Sequence, residues 1–76
     1  MAEGVALRGM RPARLRAGMS LQAVATIMGV SRQAVWKWET GERWPLPERI
    51  PALARALGIS IDELYYGQND KGGSEK

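Results

Sequence analysis

In this 76-residue sequence the side chains able to do chemistry gather in one stretch, Ser31-Arg32-Gln33, then Trp36-Lys37, Thr40 and Arg43. At about 100° per residue, Gln33, Trp36, Lys37 and Thr40 share one side of a helix with Arg32 on its edge, while Ala34, Val35 and Trp38 share the other. The inward set is apolar and reads as core. The outward set combines an amide, cations, a hydroxyl and an amphipathic ring, the groups that read nucleic-acid edges. Glutamine pairs with adenine through two bonds, and arginine or lysine pairs with guanine. Ser31, with the free N–H groups of a helix start, suits a phosphate.

Other chemistries are poorly supplied. The chain has no Cys and no His, which removes disulfides, thiolate nucleophiles, imidazole acid–base catalysis and nearly all zinc sites. Its carboxylates are scattered, with no nucleophile–base set beside them. We therefore expect no enzyme, no catalytic residue, no metal and no cofactor.

A reading helix must be held away from the body by its neighbours. Ser20 is an N-cap candidate for a helix over 21–28, with Leu21, Val24, Ala25 and Met28 at helical spacing and Gly29 as a left-handed stop. Val30 then bridges to Ser31, the N-cap of the helix over 32–40, which Gly41 closes. Ala25 lacks the bulk to hold two helices apart, and Gly29 can turn the chain sharply. This is helix-turn-helix geometry. Around it, residues 11 to 17 form a first helix with Pro12 near its start, and ERWPLPER, residues 42 to 49, is a proline-broken loop. A fourth helix runs from Pro51 to Leu57, with Ile50, Leu53, Ala54 and Leu57 on one face. Ser60-Ile61-Asp62-Glu63 has the capping-box pattern and opens a fifth helix reaching Tyr66. The expected fold is all-α, a compact five-helix bundle without strands.

The ends differ in composition. Residues 67 to 76, GQNDKGGSEK, carry no apolar side chain and cannot offset the entropy of ordering. Residues 1 to 10 are mixed, with Gly4 and Gly9 weakening a helix and only the distal part expected to be ordered. The expected organisation is a flexible arm over 1–9, a domain over 10–67 and a disordered tail over 68–76. Between residues 8 and 55, nine basic residues face Glu39, Glu42 and Glu48, an excess of six on a chain whose net charge is +3. Such a basic middle attracts polyanions, although the same residues also serve simply to solvate helix faces. No apolar run approaches the ~20 residues that span a bilayer, and the N-terminus lacks a signal-peptide core. A cytoplasmic protein with no membrane partner is expected.

Taken together, residues 10 to 67 resemble the phage-repressor or XRE-type, lambda-repressor-like helix-turn-helix family. The likeness rests on Arg14, Gly18-Met19-Ser20, Ala25, Gly29-Val30-Ser31, Glu39-Thr40-Gly41 and Pro45. It continues through Ala54-Arg55-Ala56-Leu57-Gly58-Ile59-Ser60-Ile61-Asp62-Glu63-Leu64. Ser31-Arg32-Gln33-Ala34-Val35 followed by Lys37-Trp38-Glu39 is similar to one common version of the family's recognition helix. The resemblance implies that this helix enters the major groove of double-stranded DNA, with Arg32, Gln33, Trp36 and Lys37 facing bases or nearby backbone. Ser31, Gln22 and Arg43 would hold phosphates, and Arg14 and Glu39 would pair between helices 1 and 3. It further implies a homodimer joined through Ile59, Ile61, Glu63 and Tyr66, and the small size of that patch points to a dimer that is weak without DNA. Such a dimer would bind a palindromic operator, as a repressor, with recognition helices about 34 Å apart.

Three features stay open at this level. Trp36 stands where many relatives carry a small polar residue, and it suits a thymine methyl, the sugar backbone or a neighbouring helix. Trp44 suits either the edge of the core or the DNA backbone. Leu21, Ala23 and Ile27 are apolar where the family is usually polar, which fits packing against helix 1, the arm or Trp36, or else a patch for a protein partner. That patch motivates an alternative function, a protein-interaction module such as an antitoxin-like subunit or co-regulator. The row Arg32, Gln33, Lys37, Thr40, Arg43 favours DNA, because a purely protein-binding descendant has little reason to keep it.

Overall fold

Three serines start three helices. In the computed structural model, which describes residues 7–67, the backbone N–H groups of Ala23, Ala34 and Glu63 donate to the hydroxyls of Ser20, Ser31 and Ser60 at 3.0, 3.1 and 3.0 Å. Each bond satisfies a donor that the first helical turn would otherwise leave unpaired, worth ~1 kcal/mol. The helices are α1 (Met10–Arg16), α2 (Leu21–Met28), α3 (Arg32–Thr40), α4 (Ile50–Leu57) and α5 (Ile61–Tyr66). Among the described residues there is no strand, so the fold is all-helical. No helix of the described residues is long and apolar enough to cross a membrane.

The segment 42–49, expected to be loop throughout, holds a short 3-10 turn at Pro47–Arg49 that runs directly into α4. Pro47 and Pro51 each occupy a first-turn position, where the missing N–H and the fixed φ cost nothing. The prolines therefore punctuate the segment without unwinding it.

Leu53, Leu64, Val24, Val35 and Met10 fill the centre and are almost wholly buried, and Trp38 closes the core from α3. Ala13, Ala25 and Ala54 are buried too, letting the short helices approach closely around a core that has no Phe. Packed chain begins before α1. Leu7 is buried in the core, and the N–H groups of Arg8 and Gly9 donate to the carbonyls of Tyr65 and Leu64 on α5 at 3.4 and 3.0 Å. Of the arm expected over 1–9, residues 7 to 9 thus form a seam with α5. Residues 1 to 6, and the tail expected over 68–76, lie outside the described residues.

Gly9 explains that seam. Its φ of −88° is open to any residue, but a Cβ there would stand 1.9 Å from the Glu63 carbonyl oxygen. The position requires a glycine for space, not for backbone freedom.

Candidate nucleic-acid interface

The turn between α2 and α3 is set by Gly29, at φ 72° and ψ 33°. The Val30 N–H reaches the Ala25 carbonyl at 3.0 Å and the Gly29 N–H the Thr26 carbonyl at 3.3 Å, the paired bonds of a Schellman closure. Ala25 is fully buried beneath it. Arg49 adds a further tie, donating from Nη1 to the Met28 carbonyl at 2.9 Å, so the lead into α4 caps the end of α2.

α3 is fastened from its inner side. Val35 and Trp38 enter the core, and Glu39 beside them is buried, its side chain wholly so. Two guanidiniums meet this carboxylate. Arg14 donates from Nε to Oε2 at 2.5 Å and from Nη2 to Oε1 at 3.2 Å, and its Nη1 donates to the Met19 carbonyl at 2.9 Å. Arg11 donates from Nε to Oε1 at 3.1 Å. A buried carboxylate is tolerated where charge and hydrogen bonds answer it, and here one such group ties α1, the α1–α2 turn and α3 together. Arg11 was not singled out in the sequence, although it stands three positions before Arg14 on the same helical side. Its guanidinium also lies over the Trp36 ring, 5.2 Å from the centroid, within cation–π range.

The outer side of α3 is open. Ser31, Arg32, Gln33 and Thr40 are exposed, Lys37 is half-buried, and Trp36 is 46% exposed. Ser31 uses an oxygen lone pair in its cap, which leaves the hydroxyl proton to donate outward. Thr40 is committed differently. Its hydroxyl donates to the Lys37 carbonyl at 3.1 Å and accepts from the Glu42 N–H at 3.4 Å, and the Arg43 N–H also reaches the Lys37 carbonyl at 3.2 Å. Thr40 thereby finishes the helix and orients the segment carrying the exposed Arg43. Gln22 donates to the Thr26 hydroxyl at 3.2 Å along exposed α2, which leaves its amide oxygen unengaged. Leu21 is half-buried against the core and, with Arg32, Gln33 and Trp36, lines a concavity of about 280 Å³.

The remaining sequence candidates sit on or beside α5. Ile61 and Tyr66 are exposed, whereas Ile59 is half-buried against the core. Glu63 accepts from Arg16 Nη2 at 2.7 Å. Its backbone N–H donates the capping-box bond to the Ser60 hydroxyl, but its carboxylate turns to α1, so only half of the expected box forms. Trp44 stacks on Tyr65, with centroids 5.8 Å apart and planes at 29°, which places its ring against α5. Ala23 is half-buried, and Ile27 is the exposed member of the apolar set on α2.

Comparison with known proteins agrees with this arrangement. A family model described as helix-turn-helix matches residues 10–64. The chain is 35% identical over 57 residues to the HTH-type transcriptional activator BcrR of Enterococcus faecalis, covering 72% of this chain and 28% of that protein. It is 33% identical over 58 residues to the SPbeta prophage-derived uncharacterized HTH-type transcriptional regulator YonR of Bacillus subtilis (strain 168), covering 76% of this chain and 54% of that one. The chain thus spans well under two thirds of the length of either relative.

Proposed function

The chain belongs to the phage-repressor or XRE-type helix-turn-helix family of transcriptional regulators, and from that premise we propose that it binds a specific double-stranded DNA sequence through α3 in the major groove. The observation that carries this reading is the two-sidedness of α3. Val35, Trp38 and the clamped Glu39 immobilise it from within, and Arg32, Gln33, Trp36 and Lys37 face outward beyond a tight turn. Rigid presentation of a few side chains is what base readout requires, because a hydrogen bond to a base edge tolerates little misplacement. Ser31, Gln22 and Arg43 flank this row and take phosphates, which fixes register without specifying sequence.

The functional unit is the domain over 10–67, extended by the seam at residues 7 to 9. It acts as a homodimer on a palindrome, with recognition helices about one DNA turn apart. Exposed Ile61 and Tyr66, edged by Ile59, offer the contact between copies. Glu63 contributes through Arg16 rather than as a free carboxylate. Repression by occupying the operator is the regulatory reading, and Arg14 with Glu39 sets the angle at which α3 meets the groove.

The test is a selection from random duplexes at two salt concentrations, comparing the protein with a Gln33→Ala/Lys37→Ala double variant. The expected result is an enriched palindrome, lost in the variant, with affinity falling steeply as salt rises. Absence of enrichment, or enrichment indifferent to the variant, rejects α3 as reader and moves attention to Ile27 on α2. A reporter carrying the enriched duplex at its promoter then reads the sign of regulation, with lowered expression expected and raised expression overturning repression.

A further inference from the structure

Within the DNA reading, on which this inference rests, we propose that the notch between Leu21 and Trp36 recognises the C5-methyl edge of a thymine. Its lining draws on both helices of the motif, Leu21 from the first turn of α2, Arg32 and Gln33 from the start of α3 and Trp36 from its middle. An apolar floor is therefore flanked by an amide and a guanidinium. In the major groove of B-DNA the thymine methyl is the apolar group that base edges present, beside the oxygen and nitrogen acceptors of neighbouring bases. The notch matches that alternation. Leu21 and Trp36 suit the methyl, while Gln33 and Arg32 suit hydrogen bonds to the adjoining edges. Arg32 also brings positive charge against the polyanion, which an apolar protein segment would not call for.

Trp36 is held for this task. Arg11 covers its ring at 5.2 Å while bonded to buried Glu39, so a tryptophan nearly half exposed to solvent is tied to the same carboxylate that anchors α3. Arg11 is a positioning residue in this arrangement. The volume, about 280 Å³, exceeds what one methyl fills, so the notch admits a base edge and not merely its substituent.

The test begins with the enriched duplex and replaces each thymine in turn by deoxyuridine, which removes the methyl and keeps the pairing. At one position in each half-site, affinity should fall about fourfold, the effect of losing one buried methyl. Trp36→Ala and Leu21→Ala should bind the thymine and deoxyuridine duplexes equally, and Arg11→Gln should shrink the ratio while leaving the preferred sequence in place. Deoxyuridine tolerated at every position, or an undiminished ratio in both notch variants, overturns the proposal and leaves the DNA reading intact. Failure to enrich any duplex overturns both, and binding of a protein through Leu21 and Trp36 would then account for the notch.

Discussion

α3 and α5 are tied to the start of the chain by opposite means. α3 meets α1 through a buried carboxylate answered by two guanidiniums, whereas α5 meets residues 7 to 9 through backbone in close approach, with Gly9 against the Glu63 carbonyl. α5 also has an ion pair to α1, Arg16 with Glu63, but there the side chains are 45% and 23% exposed. The Arg14–Glu39 pair has the same chemistry in a different medium, with 11% and 0%. Backbone contact sets how near two elements come. A forked guanidinium on a carboxylate sets their angle as well, since its bonds are directional. α3 has the directional fastening and α5 the steric one.

This contrast can be broken from its strongest point downward. Gly9→Ala forces a methyl into the carbonyl of α5 and should destabilise the domain by about 3–4 kcal/mol, read as a fall in Tm of roughly 12 °C or more. A Tm near that of the unaltered protein would show that the seam yields easily. Arg14→Ala leaves Glu39 buried with only the half-exposed Arg11, and about 2–3 kcal/mol should be lost. Operator affinity should also fall once binding is corrected for the unfolded fraction. A variant that kept both stability and affinity would remove the clamp from the account.

Arg11→Ala should cost about 1 kcal/mol, because its guanidinium sits half in solvent where the attraction is screened. Chemical denaturation resolves it from the Arg14 variant. Arg16→Ala closes the series, with an expected change below about 0.5 kcal/mol that vanishes in 1 M salt, whereas the Arg14 loss should persist. Equal salt sensitivity in the two variants would erase the distinction drawn between the pairs.

Much of this was legible in local sequence. Ser20 and Gly29, then Ser31 and Gly41, bracket α2 and α3 at the residues where the helices start and stop, because caps and left-handed glycines act within a single turn. The two sides of α3 follow from helical period alone. What local pattern does not carry is contact across the chain. Gly9 reads as a weak helix former, and its real demand arises from the Glu63 carbonyl, more than fifty positions away. Glu63 fits a capping box with Ser60 until Arg16 draws its carboxylate to α1. Arg11 reads as one more cation in a basic stretch, and its bridge from Glu39 to Trp36 exists only once α1 and α3 are packed. Thr40 belongs to the outward row by period, yet its hydroxyl closes the helix.

The inward anchoring of α3 also bears on how such a domain diversifies. Val35, Trp38 and Glu39 carry the helix's obligations to the fold, so Arg32, Gln33 and Lys37 can be exchanged while the chassis stays intact. On the proposed reading, a new target sequence requires rewriting a few letters on one side of a single helix. Trp36 is the exception, since altering it releases Arg11 from its stacking partner and transmits the change back to the anchor.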